Sequence, residues 1–174
     1  MRPTLVFLSL FVVVAWSTTS NAADRVTAAE ILREIELHGA KAVALKYYDT
    51  QVWAKSIDPG IRSAAPEWLN VADKLSPGAE AAAGEDIGLA LYDALAVAPL
   101  KVLPVLSRKY GGTARYLCNV SYEADIPKEG ANEYLNKVRR GLMRARTPNE
   151  KQLAAQCKKG LAQSLATAKS QGLL

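Results

Sequence analysis

Residues 85–98 read EDIGLALYDALAVA. Ile87, Leu91, Ala94 and Leu95 recur at the three- and four-residue intervals of one α-helical face. Leu89, Tyr92 and Ala96 mark a second apolar face on the same turns. A helix apolar on two sides is sandwiched between neighbours rather than laid on a surface. This one segment therefore implies a helix-on-helix core, and the rest of the chain agrees with it.

Downstream, Pro99 opens LKVLPVLSR, which reads as a further helix that Pro104 should kink or cut short. Upstream, Pro66 suits the first turn of a helix carrying Trp68, Leu69, Val71, Ala72 and Leu75, because its missing N–H costs nothing there. Ser76-Pro77-Gly78 ends that helix, and Asp58-Pro59-Gly60 ends a shorter piece bearing Val52, Trp53 and Ile57. Thr27 and Glu30 have capping-box spacing. They open a helix whose stripe runs Ala28, Ile31, Leu32, Ile35, Gly39, Ala42, Val43, Tyr47. Toward the C-terminus, Leu135, Val138, Leu142 and Ala145 form another stripe. Thr147-Pro148-Asn149-Glu150 is a second capping box, and Leu153, Cys157, Leu161 and Leu165 follow it at near four-residue spacing. Between these lies KYGGTARYLCNVSYE, residues 109–123. Its paired glycines suit the end of a helix. The alternation of Tyr116, Cys118, Val120 and Tyr122 suggests a strand, but a lone strand has no partner and irregular structure is expected. The sum is an all-α fold of about seven short helices, as a compact bundle or a short solenoid-like stack, although no clean repeat is present.

The first residues read MRPTLVFLSLFVVVAWSTTSNAAD. A basic start, a short apolar run from Leu5 to Ala15 and small residues at Ser20 and Ala22 have the form of a signal peptide over residues 1–22. The expected mature chain, 23–174, is one helical domain. It contains no run near the roughly twenty apolar residues of a membrane span. Periplasmic or secreted localisation follows from that reading.

Charge divides the chain. Residues 24–127 hold 11 Lys and Arg against 14 Asp and Glu, a net of −3; residues 128–174 hold 10 against 3, a net of +7. An acidic body thus carries basic C-terminal helices.

Two cysteines in an exported chain, Cys118 and Cys157, are expected to form a disulfide. Closing a loop of about 40 residues contributes roughly 4 kcal/mol in the chain-entropy model. The single histidine, His38, excludes sites that need two. Glu34 and His38 stand one turn apart, a spacing that a ligand pair shares with an ordinary exposed helix face. Neither G-x-S-x-G nor S-x-x-K occurs, and Gly111-Gly112-Thr113 lacks the rest of a phosphate loop. Glu67, Asp73, Glu80, Glu85 and Asp86 could supply a carboxylate pair, but Glu85 and Asp86 read more simply as acids at the positive end of a helix. No catalytic residue, metal or cofactor is assigned.

The segment VWAKSIDPGIRSAAPEWLNVADKLSPGAEAAAGEDIGLALYDALAVAPLKVLPVL resembles a group of small exported proteobacterial proteins of unknown function. Trp53, Pro66, Trp68, Leu69, Val71, Ala72, Leu75, Pro77, Gly78, Leu91, Ala94, Leu95, Pro99, Val102 and Leu103 carry the likeness, and Cys118 matches a cysteine of that group. The resemblance covers about half of the mature chain and implies an exported helical fold. It implies no activity, because the matching residues are packing and turn types.

Binding is the function these features favour. Tyr110, Arg115, Tyr116 and Tyr122 surround the cysteine, and Lys137, Arg140 and Arg144 recur at helical spacing on the basic arm. Tyrosine and arginine are favoured at interface hot spots. The expectation is a non-catalytic binding protein of the cell envelope, of the inhibitor or immunity type, acting on another exported protein or an anionic envelope component. Export argues against nucleic acid. A carboxylate-dependent hydrolase or lyase acting on envelope polymers and a structural accessory protein are the alternatives.

Overall fold

A computed structural model describes residues 25–112, 117–118 and 130–170. The expected signal peptide, and Arg115, Tyr116 and Tyr122, lie outside the described residues. Eight α-helices, one π-helical turn and one 3₁₀ turn occur among the described residues, with no strand. The fold is all-α and tied by one disulfide.

Helix α1 (Ala28–His38) opens with the anticipated capping box. The Thr27 N–H donates to Glu30 Oε2 (2.7 Å), and the Glu30 N–H donates to Thr27 Oγ1 (3.3 Å). The stripe through Tyr47 does not belong to one helix. Gly39 takes φ 81°, caps α1 and starts α2 (Ala40–Tyr47). In one straight helix Glu34 and Lys46 would stand about 18 Å apart at 1.5 Å per residue. Instead Lys46 Nζ donates to Glu34 at 2.8 Å, so α2 turns back on α1.

A π-helical turn (Trp53–Ile57) leads directly into α3 (Asp58–Arg62). Asp58-Pro59-Gly60 therefore starts a helix rather than ending one. Pro59 falls in the first turn, where its absent N–H leaves nothing unpaired. The chain turns later, at Ala64 (φ 57°), before Pro66 opens α4 (Pro66–Leu75). A 3₁₀ turn, Ser76–Gly78, follows as the helix break.

Helix α5 (Ala81–Val97) confirms the opening segment. Ile87, Leu91, Ala94 and Leu95 are completely buried, and Leu89, Tyr92 and Ala96 are half-buried. It packs against α3 and, further along the chain, against α6 (Pro99–Lys109) and α7 (Ala131–Leu142). Burying each leucine contributes about 1.5–3 kcal/mol from apolar area alone. Helix α6 runs through Pro104 to Lys109; the proline costs one helical hydrogen bond but does not end the helix. Val102, Leu103, Val105 and Leu106 bury the helix against α4, α5, α7 and the long α8 (Pro148–Ser170). The second capping box opens α8: the Thr147 N–H donates to Glu150 Oε2 (3.0 Å), and the Glu150 N–H donates to Thr147 Oγ1 (3.2 Å).

Cys118 and Cys157 are bonded, and both are completely buried. One turn beyond Cys157, a Cβ at Gly160 would overlap the Leu117 carbonyl oxygen. The cysteine segment thus lies directly on the α8 backbone, and only glycine leaves it room.

Candidate functional site: a basic pocket between α6 and α7

The start of α6 meets α7 at Pro99. A Cβ at Gly141 would overlap the Pro99 ring, so a glycine at this point lets the helices close. Their contact shapes a cavity of about 350 Å³. Lys137, Arg140 and Arg144 line it from α7 and the turn after it, as their i, i+3, i+7 spacing allows. Lys101 enters from the first turn of α6, and Ala96, Val97, Ala98, Pro99 and Leu100 complete the wall. Three of the seven candidate binding residues therefore converge on one cavity. Sequence spacing missed Lys101, because the α6–α7 contact that brings it across is tertiary; its place two residues after a helix-starting proline was the available signal.

The cavity is both cationic and apolar. Arg140 is partly satisfied by Glu133, at 3.1 Å. Among the described residues, Lys101 and Arg144 have no acidic partner. Val97 is 63 % exposed, one of four large apolar side chains so exposed among the described residues. The helix end itself offers little to an anion: Pro99 has no N–H, and the Lys101 N–H already donates to the Ala98 carbonyl (3.0 Å). Side-chain charge supplies the attraction.

Tyr110 lies elsewhere. Its ring stacks on Tyr92, with centroids 6.4 Å apart and planes 16° apart, and burial raises its phenol. Burial also raises the Tyr92 phenol, whose backbone carbonyl accepts from Tyr134 Oη (2.8 Å). Lys109 Nζ donates to the Gly84 carbonyl (2.9 Å), and burial lowers its ammonium. Tyr110 thus packs against α5 near the end of α6. Gly111 and Gly112, at φ 61° and 70°, end that helix as expected, with the Gly112 N–H donating to the Ser107 carbonyl (2.6 Å).

Several carboxylates are held in ion pairs. Glu80 pairs with Lys41 (2.9 Å), and Asp73 with Arg108 (2.6 Å). Arg62 bridges Asp58 and Asp93. Glu34 accepts from Lys46 and from Tyr47 Oη (2.8 Å), and these bonds hold its carboxyl below the usual range. His38 is exposed. Helix α5 begins at Ala81, so Glu85 and Asp86 stand past its first turn and gain little from the helix end. Burial first, then the Asp58, Asp49 and Glu85 charges, push the Asp86 carboxyl up, while Arg62 opposes them. Glu85 and Asp86 are consecutive on a helix and do not face each other, so they are not a converging pair. Among the described residues, no group of three or more His, Cys, Asp and Glu is placed to hold a metal ion, and no helix is long and apolar enough to cross a membrane.

Comparison of the chain with protein-family models, characterised proteins and solved structures finds no match, so its functional reading rests on this geometry.

Proposed function

We propose that this chain is an exported, non-catalytic binding protein that engages an anionic group of an envelope component or another exported protein through the α6–α7 pocket. One observation carries the reading: four cations, from α6, α7 and the turn after α7, line a single cavity with an apolar wall. Ligand sites of this kind combine an apolar lining with a few fixed polar groups. The disulfide supports export, because such bonds persist in oxidising compartments. An inhibitor or immunity-type role fits a partner presenting acidic residues to that cavity.

Charge-matched variants test it. Lys101→Gln, Arg140→Gln and Arg144→Gln together remove three charges from the pocket. Lys151→Gln, Lys158→Gln and Lys159→Gln remove three from exposed positions on α8. On a phosphocellulose column, the pocket variant should elute at lower salt than the α8 variant. Equal elution would mean diffuse charge without a site.

The carboxylate-hydrolase alternative has one observation in its favour, the Asp86 carboxyl pushed up by burial and by the Asp58 charge. Unchanged turnover of envelope polymers by Asp86→Asn would remove it.

A further inference from the structure

We infer that the α6–α7 pocket takes a phosphomonoester joined to an apolar chain. The inference rests on the binding role proposed for that pocket and names the chemistry of the ligand. Charge and apolar surface share the cavity wall and point to the two halves of such a molecule.

The charged half follows from counting. Four cations line the cavity: Glu133 offsets Arg140, and Lys101 and Arg144 bring two charges with no acidic partner among the described residues. A single carboxylate would leave one of those two charges uncompensated. A phosphomonoester carries about −1.5 to −2 near neutral pH and offers three acceptor oxygens. Arginine forks match such oxygens in pairs, and lysine adds a point charge.

The apolar half follows from what lies beside the cations. Val97, Pro99 and Leu100 line the same cavity, and Val97 is 63 % exposed at its rim. Met143, 71 % exposed, stands next to Arg144 in the chain. A volume of about 350 Å³ falls within the range of small-molecule sites and leaves room beyond the phosphate. Each methylene buried there multiplies affinity roughly fourfold. Two or three methylenes therefore separate an alkyl phosphate from inorganic phosphate by more than about tenfold.

The test titrates the disulfide-bonded mature protein calorimetrically with three probes: hexyl phosphate, inorganic phosphate and heptanoate. Hexyl phosphate should bind at least about tenfold more tightly than either of the others. Lys101→Gln with Arg144→Gln should weaken both phosphates. Val97→Asn, at an exposed position, should remove much of the alkyl advantage and leave inorganic phosphate unchanged. Equal affinity for hexyl and inorganic phosphate would overturn the inference while the anion-binding role stands. Equal affinity for heptanoate and hexyl phosphate would overturn the dianion argument. If no probe binds and the pocket and α8 variants also elute together, the binding role itself fails. Vesicles of phosphatidylcholine with phosphatidic acid distinguish sources: retention lost in the charge variants identifies a lipid, whereas hexyl phosphate binding without retention identifies a soluble ester.

Discussion

Reducing the Cys118–Cys157 bond tests how the two halves of the chain are held together. The cysteines are 39 residues apart, and both sulfurs are buried. Cutting the link frees the unfolded chain more than the folded one. For a loop of about 40 residues the chain-entropy relation gives roughly 13 cal/mol/K, or ~4 kcal/mol near 25 °C. In a domain of this length each kcal/mol moves Tm by about 2–4 °C, so reduction should lower Tm by ~8–16 °C. The assay is thermal and urea unfolding of the protein followed by circular dichroism, with and without reductant. Cys118→Ala with Cys157→Ala should lie near the reduced protein, because the loss comes mainly from the unfolded chain. A loss under about 1 kcal/mol would refute the loop-closure reasoning.

Gly160→Ala should destabilise the oxidised protein by about 1–3 kcal/mol through the clash with Leu117, although helix propensity alone favours alanine by about 1 kcal/mol. In the Cys118→Ala, Cys157→Ala background the strap can move, so the same change should turn neutral or stabilising in urea unfolding. Tyr134→Phe removes the part-buried bond to the Tyr92 carbonyl and should cost about 1 kcal/mol by the same assay. Acid unfolding should involve Glu34, whose folded-state carboxyl is held below its ordinary value of 4.5 by Lys46 and Tyr47. The unfolded state binds the proton first as pH falls, so this contribution is present above about 4.5 and disappears through the depressed value. Glu34→Gln should flatten that limb of the stability–pH curve.

Helix existence was legible because burial follows a simple period. Ile87, Leu91, Ala94 and Leu95 were readable from spacing alone, and all four are completely buried. Capping boxes were legible for the same reason: Thr27 with Glu30 and Thr147 with Glu150 are local chemistry. Boundaries set by backbone exceptions were not. Gly39 keeps the apolar stripe going while its φ of 81° breaks the helix. Pro59 reads as a stop, yet a π-helical turn places it where a proline is harmless. Pro104 reads as a kink, yet packing against four neighbouring helices carries α6 past it.

The site divides along the same line. Lys137, Arg140 and Arg144 share a helical period, so the sequence placed them together; Lys101 joins only through a tertiary contact. That contact depends on Gly141, and the contact between the cysteine segment and α8 depends on Gly160. Glycine inside a helix reads as a local weakness, because it costs about 1 kcal/mol relative to alanine. At both positions it admits another part of the chain that a Cβ would exclude. The α6–α7 pocket is therefore set by backbone approach, not by flexible cationic tips. Removing those tips should change affinity while leaving the fold, whereas filling Gly141 should move the helices that carry them.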